Sequence, residues 1–209
     1  MDENLIRNDA DVAEGVAWLC AVEPRFSYAY SQTGPLPLRL RQDGFEALLS
    51  AIVSQQISVA AARGVWAKLE AAGAIKAERI LALEVGELRG LGLSKQKAGY
   101  AKALAEHGID FKALRRQRAD RVVRELTAVK GVGVWTAEIY AMFSLGRADV
   151  FAAGDLALQE AAKALFGLDA RPTDKTLRKI AEAWSPWRAV AARLLFAYYH
   201  VIKDREGMI

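Results

Sequence analysis

The segment from Leu126 to Ala137 restricts this chain more than any other stretch. It has the form Leu-x-x-Val-x-Gly-Val-Gly-x-x-Thr-Ala, a helix end, a glycine-rich hairpin and a helix start. Gly131 and Gly133 permit a tight turn with positive φ, and Val132 between them can pin the hairpin into a core. A helix that begins near Val134 aims its free backbone N–H groups outward. Glycines beside a helix N-terminus let a phosphate approach those groups closely. Such a contact reads no base, so it suits sequence-independent binding of nucleic acid. Taken alone, the same residues also describe a plain helical joint with glycine capping. No Gly-Lys-Ser/Thr follows, which excludes a Walker loop. No strand precedes, which excludes a dinucleotide fingerprint.

A second segment resembles the first. Leu88 to Ala98 carries Gly90, Leu91 and Gly92, followed by Ser94, Lys95 and Lys97. Around the two hairpins the spacing of apolar residues is helical. Residues 5–22 form one amphipathic helix with Trp18 on its apolar side. Residues 23–44 hold Pro24, Gly34, Pro35, Pro37 and Gly44, which predicts a surface connector rather than a regular element. Leu36, Leu38 and Leu40 allow a short extended piece within it. Phe45, Leu48, Leu49 and Ile52 then mark one helix face, Ser54-Gln55-Gln56 interrupts it, and Ser58 caps a second helix through Leu69. Gly73 ends that pair, and short helices follow over 76–83 and 84–89. After the second hairpin come a helix to about Leu145, a loop ending at Asp155, a helix over 156–165, and helices near 173–184 and 187–203. With 39 alanines and few strand signals, the expectation is an all-α fold of roughly ten helices.

Composition removes several classes. At 209 residues, 53% hydrophobic and 26% charged, the chain can bury a core and is not disordered. Its one cysteine, Cys20, excludes a disulfide scaffold and a cysteine-held zinc or iron–sulfur site within the chain. His107 and His200 are too far apart in sequence to suggest a histidine metal centre. The net charge of +4 is compatible with nucleic acid but weak evidence for it. The start, Met1-Asp2-Glu3-Asn4, is too acidic for a signal peptide, and no apolar run is long enough to span a membrane. A soluble, intracellular protein, cytoplasmic and without membrane partners, is expected.

The hairpin is followed by Val150-Phe151, Gly154 and Asp155, and preceded by the Phe45–Ser58 segment with Gln55 and Gln56. In that order, and with Trp184, Pro186, Trp187 and Arg188 near the end, these landmarks resemble the helix-hairpin-helix DNA glycosylase superfamily. The tail is similar to the 3-methyladenine DNA glycosylase II branch. The resemblance spans roughly residues 40–203. It implies a two-lobed helical fold, with residues 1–44 packing on the second lobe, 45–150 forming the hairpin lobe and 151–209 completing the other. The active site would lie in the cleft between them. About 44 residues precede Phe45, too few for the extra N-terminal β-domain of some members.

The same resemblance assigns roles. Asp155 stands where the family has its catalytic aspartate. As a local feature it would also serve as an N-cap. An ionised carboxylate suits the chemistry, because breaking an N-glycosidic bond builds positive charge on the sugar. Trp135 occupies the position at which bifunctional members carry a lysine nucleophile, which implies hydrolysis without lyase activity. Alkylated bases carry positive charge and leave without a strong general acid. A flipped base of that kind stacks well on electron-rich rings. Trp135 is the first candidate platform and Phe196 the second, with Tyr28 and Tyr30 within possible reach. For each of these aromatics the alternative is core packing, which is also the reading for Trp184, Trp187, Tyr198 and Tyr199.

Gln56 resembles the residue that plugs the emptied stack, with Gln55 as support. Gly131, Gly133, Val134, Thr136 and Lys130 would meet phosphates. Lys130 departs from the proline many relatives have there, and a Schiff-base role would require it to point into the pocket. Lys95 and Lys97 of the first hairpin, and Arg115, Arg116 and Arg118, are candidate contacts to the other strand. No redox cofactor is expected. The backbone carbonyls of Thr127 and Val129 match a monovalent-cation site, Na+ or K+, in the family hairpin. The expected partner is double-stranded DNA containing alkylated bases, bound by a monomer. His107 reads as a helix end, His200 as packed in the last helix, and Cys20 as packing. A glycosylase for another damaged or mismatched base, or a catalytically silent DNA-binding module, stays open at this point.

Overall fold

The computed structural model describes residues 4–206, so most of the acidic start lies outside them. The described residues form thirteen α-helices in chain order. These are α1 Asp9–Val22, α2 Pro24–Thr33, α3 Phe45–Ser54, α4 Val59–Ala71, α5 Ala77–Ala82, α6 Val85–Gly90 and α7 Lys95–His107. Then follow α8 Phe111–Leu114, α9 Ala119–Thr127, α10 Val134–Phe143, α11 Leu156–Phe166, α12 Asp174–Ala181 and α13 Arg188–Glu206. A 3₁₀ turn, Glu182–Trp184, precedes the last helix. Among the described residues the one strand-type pairing outside helices is an isolated bridge between Leu5 and Arg147. No described helix is long and apolar enough to cross a membrane.

The chain divides into two compact units, Arg41–Tyr140 and the flanking residues up to Leu40 with those from Ala141 onward. The divisions fall at 40/41 and 140/141, rather than at the 44/45 and 150/151 expected from sequence. In the central unit, Leu48, Leu49 and Ile52 of α3 are fully buried together with Leu69, Ile80 and Leu88. Burying a side chain of that size removes about 1.5–3 kcal/mol worth of apolar surface from water. Ser58 caps α4 as its sequence predicts, accepting the N–H of Ala61 at 3.2 Å. Ser94 does the same for α7 through the N–H of Lys97 at 3.2 Å.

The flanking unit is organised around Trp184. Its ring lies 5.2 Å from Phe26 and 5.3 Å from Phe151 edge-on, and stacks on Phe166 at 5.5 Å. Such pairs contribute about 0.5–1.5 kcal/mol beyond the area they bury. Several expectations need correction here. The first helix begins at Asp9, not at Leu5, because Asn8 and Asp11 form a reciprocal capping box. Residues 4–6 instead spend their backbone groups on the far chain, Ile6 N–H donating to Gly146 O at 2.7 Å and Ala148 N–H to Asn4 O at 3.1 Å. Second, the proline-rich connector contains α2. Pro24 sits at the helix start, where its missing N–H costs nothing, and the Glu23 carboxylate accepts the Arg25 N–H at 3.1 Å.

Third, residues 34–44 form no extended pairing; they are mostly exposed, as a surface connector would be, with anchors at Leu36 and Leu38. Leu36 is buried, and the buried Arg193 of α13 donates to Leu38 O at 3.1 Å and to Ala189 O at 3.0 Å. Burial, with Arg39 nearby, pushes the Arg193 guanidinium down to about 10. The helix expected to reach Leu145 stops at Phe143. His200 is exposed rather than packed, while His107 ends α7 ahead of the left-handed Gly108 as expected.

Candidate active site

The second hairpin joins α9 to α10 inside the central unit. Val129 accepts the N–H of Val132 at 3.0 Å, which closes the turn. Val132 is 4% exposed and anchors the hairpin as its sequence implies. Only one of the two glycines has positive φ. Gly131 lies at +95°, and a Cβ there would meet the Tyr100 ring at 2.2 Å. Gly133 has ordinary backbone geometry, and a Cβ added there would meet nothing within 4 Å, so it leaves open space ahead of α10. Val134 and Trp135 follow it, 51% and 44% exposed, and present the opening turn of α10 outward. Lys130 is exposed. Thr136 is buried, so its hydroxyl is not displayed to a phosphate, and a contact there would use the backbone.

The α3–α4 loop stands beside this hairpin. Gln56, Gly131 and Gly133 line one cavity of about 610 Å3, together with Ser94, Lys97 and Tyr100. Gln56 has a φ of +54°, uncommon for a residue with a side chain. Gln55 turns inward, its Nε2 donating to Gly131 O at 3.0 Å. Of the residues expected to grip or plug DNA, these are the ones the central unit brings together. Lys97, half-buried, donates from Nζ to Val53 O at 2.7 Å. Arg115 is paired with Asp43, through Nη2 at 2.7 Å, and Arg118 lies 3.6 Å from Asp120, while Arg116 is exposed.

Asp155 belongs to the flanking unit and ends a tightly held loop. Phe151, Ala152 and Ala153 are buried. Arg178 donates to Phe151 O at 3.4 Å, and Gln159 Nε2 to Ala153 O at 2.9 Å. The Asp155 N–H donates to Ala152 O at 2.9 Å. Half-buried, Asp155 caps α11, its Oδ1 accepting from Ala157 N at 2.9 Å and Leu158 N at 3.3 Å. Capping and catalysis are therefore compatible. The two N–H groups of α11 and the braced loop fix the direction of the carboxylate. Upstream, Asp149 accepts from Arg188 Nε at 2.6 Å and Ser185 Oγ at 2.8 Å, which ties the loop's entry to the start of α13.

The chain matches the family model of the HhH-GPD superfamily base excision DNA repair protein over residues 49–186, which includes the α3–α4 loop, both hairpins and Asp155. The chain belongs to that superfamily. It is 27% identical over 200 residues to the alkylbase DNA glycosidase-like protein mag2 of Schizosaccharomyces pombe, covering 90% of this chain and 94% of that one. A DNA-3-methyladenine glycosidase of Bacillus halodurans superimposes with a TM-score of 0.82 at 31% identity, over 98% of this chain and 95% of the other. The 3-methyladenine DNA glycosylase Mag1 of Schizosaccharomyces pombe, solved with abasic DNA, gives 0.76 at 26% identity, over 88% and 95%.

Within the HhH-GPD frame the aromatic candidates separate. Trp135 is the exposed ring beside the hairpin. Phe196 is half-buried on α13, its ring 6.3 Å from Phe143. Tyr28 is 51% exposed on α2 and meets Tyr198 edge-on at 6.3 Å, while Tyr30 is half-buried. Trp184, Trp187 and Tyr198 are core, and Tyr199 is half-buried. Sequence reasoning missed the Lys97 and Tyr100 contacts and the Asp149–Arg188 pair. The spacing of Lys97 after the first hairpin was visible, but nothing in it distinguishes an ammonium turned to a backbone carbonyl from one turned to solvent.

Proposed function

We propose that this chain is a monofunctional DNA glycosylase acting on alkylated purines in duplex DNA. The observation that carries the reading is Asp155, a carboxylate held at the N-terminus of α11 by a buried, hydrogen-bonded loop. The names of the relatives support the substrate class, and the exposed opening of α10 supports a sequence-independent grip on the backbone.

In the proposed reaction the C1′–N bond of a flipped nucleotide breaks, and the bonding electrons leave with the base. A cationic alkylated purine departs neutral, so no proton need be supplied to it. The Asp155 carboxylate stabilises the positive sugar and orients water, whose oxygen bonds to C1′ and whose proton is released. Trp135, in the position where a lysine would give a lyase, offers a π-face and no amine. Phe196, Tyr28 and Tyr30 are secondary candidates for the base pocket. Gly131, Gly133 and the Val134 and Thr136 backbone would face phosphates, with Lys130 adding charge. The carbonyls of Thr127 and Val129 would hold a Na+ or K+ ion; Val129 already accepts one N–H, and a carbonyl oxygen has a second lone pair. Such an ion adds positive charge beside a phosphate. The protein would act as a monomer.

The experiment is base release from methylated duplex DNA by wild type and Asp155→Asn, with and without alkali. Release by wild type alone, with strand breaks only after alkali, is the expected result. DNA binding without release would overturn the alkylation assignment.

A further inference from the structure

Two contacts converge on the end of α3 and the start of the α3–α4 loop. From the second hairpin, Gly131 O accepts the Gln55 side-chain amide at 3.0 Å. From the helix after the first hairpin, Lys97 Nζ donates to Val53 O at 2.7 Å, in the last turn of α3. That carbonyl lies at the negative end of a helix, where a cation is favoured. Lys97 is partly withdrawn from water, and burial pulls its ammonium below the ordinary lysine range. Directly after the two anchored residues, Val53 and Gln55, the chain passes through Gln56, at φ +54°, and Ile57, which is 40% exposed. Strained backbone of this kind persists where its surroundings hold it. Gly131 is in turn fixed against the Tyr100 ring, and the Tyr100 hydroxyl accepts from Gln96 Nε2 at 2.6 Å.

We propose that Lys97 and Gln55 are positioning residues that brace Gln56 and Ile57 as one rigid insertion tip, registered to both glycine hairpins. Gripping the phosphates then sets the tip at a fixed height against the base stack, and the plug enters as the target base leaves. Neither strut touches the substrate. Lys97, basic and next to a hairpin, is spent inside the protein rather than on the DNA. The inference rests on the base-flipping reading above.

The test uses a duplex with 2-aminopurine at the target position, whose fluorescence rises on unstacking, with binding measured across a salt series. Lys97→Met and Gln55→Leu are expected to bind with the wild-type salt slope but to lose most of the fluorescence rise. A mismatch opposite the target should restore it, because a mismatched base is easier to extrude. Lys97→Arg returns a cation to Val53 O and should recover flipping. A merely destabilised variant would show neither rescue, and urea unfolding identifies one that does not fold. A salt slope reduced by about 0.9 in Lys97→Met would make Lys97 a phosphate contact and overturn the proposal. Wild-type flipping in both variants would overturn it as well. A wild type that flips the base yet releases no methylated purine would instead overturn the glycosylase reading and leave the brace standing.

Discussion

The Asp155 carboxylate accepts the backbone N–H of Ala157 at 2.9 Å, so the candidate catalytic group is also the cap of its own helix. The two roles come apart on substitution. Asparagine caps as well as aspartate, whereas alanine loses about 1 kcal/mol of cap. Asp155→Asn should therefore unfold at the wild-type urea midpoint while base release from methylated DNA falls about a hundredfold or more, the usual loss for an electrostatic stabiliser. Asp155→Ala should lose release and that stability together. An Asp155→Asn variant with wild-type release would remove the residue from the mechanism.

Trp135 is 44% exposed, so truncating its partly buried ring should cost about 1–2 kcal/mol of stability and leave the protein folded. Stacking of a base on an aromatic ring contributes about 1–3 kcal/mol. Trp135→Ala should accordingly weaken binding to DNA carrying the alkylated base, leave binding to abasic DNA nearly unchanged, and be largely rescued by Trp135→Phe. Competition titrations with the two duplexes decide it. Equal loss on both would make Trp135 a backbone contact.

Many helices were legible from local signals, though the Asn8–Asp11 box at the start of α1 was not read. Ser58 caps where its sequence places it, and Leu48, Leu49 and Ile52 of the expected apolar face are buried. The proline-rich stretch misled because Pro24 stops a helix interior but starts a helix well. Residues 4–6 misled because their backbone partners lie about 140 residues away in sequence, beyond any local pattern. At the site, Asp155 and the hairpin were visible as motifs. The braces were not, because Lys97 to Val53 and Gln55 to Gly131 join residues distant in sequence. A lysine beside a hairpin has the same letters whether it meets a phosphate or a carbonyl.

The two hairpin glycines should respond oppositely to alanine. At Gly131 a Cβ would meet the Tyr100 ring at 2.2 Å, and φ is +95°. Gly131→Ala should destabilise the central unit by about 1–3 kcal/mol through overpacking and strain. Gly133→Ala meets nothing within 4 Å. It should fold as wild type yet bind DNA more weakly if a phosphate uses that space. Thermal unfolding and binding to undamaged duplex, measured on both variants, separate the effects. Unchanged binding by Gly133→Ala would show that no phosphate approaches there.

Asp149 supports the Asp155 loop from its far end and makes stability depend on acid. Burial pushes the carboxyl up, but the hydrogen bonds from Arg188 and Ser185 outweigh it and hold it below the usual aspartate range. An aspartate with a depressed folded value stabilises the protein above its unfolded value of about 3.9, and the stabilisation is lost as pH falls through the folded value. Asp149→Asn leaves the Arg188 guanidinium without its carboxylate, at a cost of about 1–3 kcal/mol at neutral pH. The stability gap between wild type and variant should therefore be constant near neutrality and close below about pH 4. Because Asp149 adjoins the loop rather than the base, any loss of release should be small beside that of Asp155→Asn. Urea midpoints followed from neutral pH into acid check the first expectation. A gap that persists unchanged in acid would mean that the Asp149 charge contributes nothing to holding the loop.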